Sequence, residues 1–213
     1  MVDLAERARF FRGFIRRPRE VGSIIPSSRF LEQRIVRLVD ATAAQTVVEL
    51  GPGTGGTTRA VLAGLPADAR LLAIDTSPDF VRALQQCPDG RLIAQQGSAE
   101  ALADILRGHA LPAPDVIFSG IPFSTMPRAT ALGILEAVWA ALAPGGRFMA
   151  YQFRDEVYRL GATVMGEPLV ECEWLNLPPM HCYSWDKPMG EPGTSAQPGS
   201  GGSPLASGTT RAL

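Results

Sequence analysis

The segment Val47-Val48-Glu49-Leu50-Gly51-Pro52-Gly53-Thr54-Gly55 reads as a strand that runs into a glycine-rich turn and opens a helix. Glycine accepts positive φ and lets a ligand approach backbone where a Cβ would collide, so Gly51, Gly53 and Gly55 form a candidate cofactor cradle. The next apolar run closes on Asp75, 24 positions after Gly51. A carboxylate at that distance is placed to hydrogen-bond the ribose of an adenosine-containing cofactor. The following Thr76-Ser77-Pro78 offers a second reading of Asp75, as a helix cap, and neighbouring residues can fill both roles. Positions 51, 53 and 56 also satisfy the Gly-x-Gly-x-x-Gly pattern that seats a pyrophosphate on a helix N-terminus. Glu49 is awkward for that ligand, because a carboxylate beside pyrophosphate places like charges together.

Elements to position these residues follow from the alternation of short apolar runs with longer amphipathic segments, the pattern of a parallel α/β sheet. Strands are expected at Thr46–Leu50, Arg70–Asp75, Arg91–Gln95, Asp115–Phe118 and Arg147–Phe153, with helices near 54–64, 78–86, 98–108 and 128–142. Leu169–Leu175 and Met180–Trp185 read as a further antiparallel pair at the sheet edge, giving seven strands. Two helices precede the sheet, at about 3–17 and 28–40, the first stopped by Pro18 and the second capped by Ser27 or Ser28. Residues 187–213, rich in Gly, Ser, Pro and Thr, read as a disordered tail. The division is therefore 1–40 for the N-terminal helices, 41–186 for the α/β domain and 187–213 for the tail.

Composition narrows the class. Three cysteines, Cys87, Cys172 and Cys182, are odd in number and lack metal or redox spacing, so no disulfide scaffold and no metal are expected. No run of roughly 18 apolar residues and no signal-type segment is present, which points to a soluble or peripheral chain. The net charge of −1 conceals an asymmetry: residues 1–37 hold nine Arg against four acids, a net +5, and the remainder carries −6. Such a basic arm meets something anionic, lipid or nucleic acid, or else is a solvated helix face.

Glu49 together with Gly51, Gly53 and Gly55 resembles the first motif of the Rossmann-like S-adenosylmethionine-dependent methyltransferases. That resemblance places the Glu49 carboxylate near the cofactor's amino acid end, Asp75 on the ribose, and Gln96-Gly97-Ser98-Ala99-Glu100 beside the adenine; Ser98 stands where many members carry Asp. The fourth strand ends in Ser119-Gly120-Ile121-Pro122-Phe123, where amine-methylating members carry an Asn/Asp-Pro-Pro-aromatic motif. With Val21-Gly22-Ser23-Ile24-Ile25-Pro26-Ser27-Ser28 upstream and Leu175-Asn176-Leu177-Pro178-Pro179 downstream, the chain is similar over residues 10–185 to the bacterial phospholipid N-methyltransferases. The resemblance implies a seven-stranded methyltransferase sheet with helices on both faces and an antiparallel last strand. It also implies S-adenosylmethionine as cofactor and stepwise N-methylation of phosphatidylethanolamine towards phosphatidylcholine.

Methyl transfer to an amine is an in-line displacement in which positioning supplies much of the acceleration. Ser119 and Gly120 carbonyls are candidates to accept the amine's hydrogens, with Ser119 also among the cofactor contacts. Phe123, Tyr151 or Tyr183 could face the developing cation, with core packing as the other reading for Phe123. His181, Tyr183 and Trp185 alternate on the last strand and share a face; His181 is a candidate proton acceptor or a structural histidine. Arg154 could pair with a lipid phosphate or lie solvated on the surface. On the first helix, Leu4, Ala8, Phe11, Phe14 and Ile15 share a face bordered by Arg9, Arg12 and Arg16, with Arg7 intruding. That pattern suits an anionic membrane interface or a helix packed on the sheet. The chain is thus expected to be cytoplasmic and bound to the inner membrane face, without nucleic acid. An RNA adenine N6-methyltransferase and a non-catalytic cofactor sensor at the membrane are the alternatives.

Overall fold

The structure, a computed structural model, describes residues 27–176 and 178–190. The helix expected over 3–17, with Phe11, Arg12, Phe14 and Arg16, lies outside the described residues, as does the expected tail beyond 190. In chain order the elements are α1 (Arg29–Val39), β1 (Thr46–Leu50), α2 (Gly56–Gly64), β2 (Arg70–Asp75), α3 (Pro78–Gln85), β3 (Leu92–Gln96), α4 (Leu102–Gly108) and β4 (Val116–Ser119). There follow α5 (Arg128–Ala141), β5 (Arg147–Gln152), α6 (Glu156–Met165), β6 (Leu169–Glu173) and β7 (Met180–Asp186). Short 3-10 turns at Ala99–Ala101 and Phe123–Thr125 precede α4 and α5.

All seven strands join one sheet in the order β3-β2-β1-β4-β5-β7-β6. β1 to β5 are parallel, and β7 runs antiparallel to both β5 and β6. The carboxyl ends of β1 to β6 therefore share one edge, and the strand order reverses between β1 and β4, where α/β sheets open their ligand crevice. β1 is buried along its whole length because helices cover both faces. Leu31, Ile35 and Val39 of α1 pack with Val47, Phe118 and Met149 on one face. Leu135 and Val138 of α5 and Leu160 of α6 pack with Val48, Ile117 and Phe148 on the other.

The seven-stranded, mixed architecture agrees with the sequence expectation, and β1 and β2 have the expected bounds. Ser28 is the α1 cap, its hydroxyl accepting the Leu31 N–H at 3.2 Å. Other element ends shift by one to a few residues, and four differences have a physical reason. α6, which links β5 to β6, was not foreseen: Gly161 interrupts its apolar pattern, and the Trp185 ring occupies the space of a Cβ there. α2 starts at Gly56 and not at 54, because Gly53 and Gly55 have left-handed backbone. β6 stops at Glu173, whose carboxylate accepts the Leu175 N–H at 2.9 Å and turns the chain. The ordered fold also extends past 186. The Lys187 ammonium donates to the carbonyls of Trp139 and Leu142, each at 2.7 Å, closing the C-terminal end of α5.

Candidate active site

The glycine turn does what its composition requires. Gly51, Gly53 and Gly55 have φ of 72°, 54° and 77°, a region costly for side chains with a Cβ. Asp75 ties the turn to β2: its carboxylate accepts the Ser77 N–H at 2.8 Å and the Gly53 N–H at 3.3 Å. Ser77 is the N-cap residue of α3, and Asp75 holds its N–H while standing on the cleft wall. Glu49 lies fully buried on the β1 face that packs toward α1 and α2. One carboxyl oxygen accepts the Thr58 hydroxyl at 2.6 Å, and the other has no partner among the described residues. Burial pushes the Glu49 carboxyl up to about 8, against the pull of the Thr58 hydrogen bond, and the Asp75 charge adds to the rise.

Beside this turn, at the carboxyl ends of β1, β2 and β4, opens a cleft of about 340 Å³, a size suited to a small ligand. Gly51, Gly53 and Asp75 form its polar wall; Ser98 and Ala99 line its far side. The Ser98 hydroxyl accepts the Glu100 N–H at 3.2 Å, so it both caps the short turn and faces the ligand space. Phe80, Met126 and Ile134 supply apolar surface that motif reading missed. For Thr130 and Ile134 a signal was present in their four-residue spacing on α5; for Phe80 it was the position just past the Asp75 turn.

Gly120, Ile121 and Pro122 also line the cleft. A Cβ at Gly120 would lie 2.5 Å from the Tyr151 hydroxyl and 3.1 Å from the Gly51 carbonyl, so only glycine fits between β5 and the glycine turn. Tyr151 hydrogen-bonds Thr57, and its phenol is pushed upward by burial first and by the Glu49 charge next. Gln152, unremarked in the sequence, donates from its amide to the Ile121 carbonyl and holds this segment from below.

Other expected site residues fall elsewhere. The Ser119 side chain is fully buried; its hydroxyl accepts the Ile121 N–H at 3.2 Å and braces the turn without lining the cleft. Phe123 is a core residue, packed with Leu102, Leu135 and Leu160. Tyr183 is buried in an aromatic ladder with Tyr158 and Trp185, under α6. His181 stacks on Tyr183 at 6.0 Å, and its Nδ1 is buried without a partner among the described residues. None of these four lines the cleft; for Tyr183 the reason is that its face of β7 is covered by α6. Arg154 is exposed just past β5. Of the cysteines, Cys182 is buried with its thiol pushed up to about 12 by that burial, which makes it inert.

With this geometry in view, residues 48–148 match the family model of the methyltransferase domain. The chain is 29% identical over 177 residues to the ornithine lipid N-methyltransferase of Singulisphaera acidiphila, covering 82% of this chain and 92% of that protein. It is 35% identical to the ribosomal RNA small subunit methyltransferase A of Maricaulis maris, but over 44% of this chain and only 32% of that protein. Its fold superposes with a TM-score of 0.63 on the O-methyltransferase from Bacillus cereus in complex with SAH, at 12% identity over 84% of this chain and 91% of that one. The match over residues 48–148 and the shared fold agree with a methyltransferase, for which the sequence points to S-adenosylmethionine as cofactor. The chain's residues fit that group: a glycine cradle that a Cβ would fill, the Asp75 carboxylate on the cleft wall, and a buried Glu49 oxygen without a partner among the described residues.

Proposed function

We propose that this methyltransferase N-methylates the amino headgroup of a phospholipid, taking phosphatidylethanolamine and its methylated intermediates towards phosphatidylcholine. The observation that carries the reading is the near end-to-end similarity to a lipid N-methyltransferase, with 92% of that protein's length matched. Matches to the ribosomal RNA enzyme span 32% of its length, which favours lipid over RNA. S-adenosylmethionine supplies, when bound, a methyl group already activated on sulfonium. The chain's own part is positioning and exclusion of water. Gly120 and Ile121 present backbone to the cleft mouth, and Gln152 and Ser119 hold that backbone from beneath. The Tyr151 hydroxyl closes the space behind Gly120. The amine enters neutral, its hydrogens facing the Gly120 carbonyl, and the proton it sheds after methylation goes to solvent. Neither His181 nor Tyr183 is needed to receive it.

The relative's own substrate supports a second reading, methylation of ornithine lipid. Methyl-labelled cofactor incubated separately with phosphatidylethanolamine vesicles, ornithine lipid vesicles and ribosomal RNA separates the cases. Label in phosphatidylethanolamine is expected. Label in ornithine lipid alone moves the substrate to the second reading; label in RNA, or cofactor binding with no labelled lipid, overturns lipid methylation.

A further inference from the structure

Among the described residues, two of the most exposed apolar side chains are neighbours: Trp174 is 73% and Leu175 64% exposed, in the turn between β6 and β7. The pairings Glu173↔Met180 and Gln152↔His181 place this turn at the carboxyl edge of the sheet. It therefore shares an edge with the cleft, three strand spacings or about 14 Å from β4. Exposed Phe153 and Arg154 occupy the same edge.

The turn is fastened from below. Asn176, buried, accepts the Ser28 N–H at 2.9 Å and donates to the Pro178 carbonyl at 2.8 Å. Arg34 of α1 donates to Glu173 at 2.8 Å, and the same glutamate receives the Leu175 N–H. A tryptophan and a leucine are thus held out in solvent on a braced backbone, an arrangement that core packing does not explain. The Ser28–Asn176 bond also fixes where the preceding chain joins the fold, beside this tip. Those first 26 residues carry six Arg against three acids. An exposed tryptophan and leucine with an exposed Arg154 on the same edge, in a chain whose first 26 residues are net basic, have the chemistry of an anionic bilayer interface.

From this juxtaposition we infer that the Trp174–Leu175 turn is a membrane-docking element, which inserts at the surface of an anionic bilayer and turns the cleft edge towards lipid. It rests on the lipid-substrate reading for its purpose but is tested without it. Full-length protein is mixed with vesicles of phosphatidylcholine and phosphatidylglycerol, neither of which offers a methylatable amine. Of the other two tryptophans Trp185 is 2% exposed and Trp139 is half-buried on α5, so the emission change that belongs to Trp174 is the part lost in Trp174→Phe. The emission should shift to the blue and be quenched by brominated acyl chains, and both effects should vanish in Trp174→Phe. The double variant Trp174→Ser/Leu175→Ser should partition about tenfold or more weakly. Its melting temperature, cofactor affinity and methylation of dispersed short-chain lipid should be unchanged.

Vesicle binding without a shift or quench overturns the inference, because the arginine-rich arm would then carry the contact alone. So does a wild-type oligomer that the double variant dissociates, which would make the turn a seat for a second copy, and so does an absence of vesicle binding. Docking as expected with no labelled amine lipid leaves the inference standing and removes the substrate reading.

Discussion

A single carboxyl, Glu49, concentrates much of what the site requires. It is buried, half-satisfied by Thr58, and pushed up to about 8. A raised folded value means that the fold prefers the neutral acid, so its contribution is complete below about 4.5, the ordinary value, and is lost as pH rises through about 8. Each pH step of that interval corresponds to about 1.4 kcal/mol, hence up to about 3 kcal/mol at pH 7. Glu49→Gln should therefore melt higher than wild type at neutral pH, the gap widening from pH 5 to 8 and then levelling; melting curves across that range test it. The same variant should bind S-adenosylmethionine roughly tenfold or more weakly by calorimetry, since the amide offers no charge to an ammonium. Gly120→Ala forces a methyl onto the Tyr151 hydroxyl and the Gly51 carbonyl. Turnover should fall by about a hundredfold, a 1 Å displacement near the reacting centre being worth that much, with partial recovery in Gly120→Ala/Tyr151→Phe, read by kcat/KM. The placement of Glu49, the glycines and Asp75 could be read from sequence because it follows from one contiguous turn and the strand next to it. The placement of His181 and Tyr183 could not: alternation shows which residues share a face, but the side of the sheet that stays open depends on α6.

Between elements, the join of α1 to the β6–β7 hairpin matters most for the edge strands. Arg34 reaches both Glu171 and Glu173, and Asn176 caps the entry to α1. Asn176→Ala leaves the Ser28 N–H and the Pro178 carbonyl without their partner in a buried setting, which costs about 1–3 kcal/mol. Arg37, also paired with Glu171, is largely exposed, and Arg37→Ala should cost under about 0.5 kcal/mol. Urea titrations of both variants decide whether the clamp is buried chemistry or surface decoration. The two segments that this clamp connects were both visible as motifs, Ser27-Ser28 and Asn176-Leu177-Pro178-Pro179, yet nothing in linear order shows that they meet. The inner strands β1, β2, β4 and β5 were readable because apolar runs buried on both faces stand out in any sequence. The α6 helix was not, because its glycine is explained only by a ring from another element.

Over the whole molecule, a net charge of −1 divides into +5 over residues 1–37 and −6 over the rest. Part of the basic share is already spent inside the fold, since Arg34 and Arg37 are paired with Glu171 and Glu173. The arginines left to attract an anionic surface are therefore mainly the six that precede Ser27 in the sequence. Electrostatic attraction and apolar insertion respond differently to salt. Each arginine near an anionic surface is worth about 1 kcal/mol and acts within a Debye length, which shrinks from about 10 Å at 0.1 M to 3 Å at 1 M. Burial of Trp174 and Leu175 is not screened. Partition onto phosphatidylglycerol-containing vesicles should fall about tenfold or more between these salt concentrations and then level at a residual value. The residual should be missing from Trp174→Ser/Leu175→Ser, while the steep part remains. A co-sedimentation series in salt reads both terms from one curve; loss of all binding at high salt in the wild-type protein would show that charge alone holds it to the membrane.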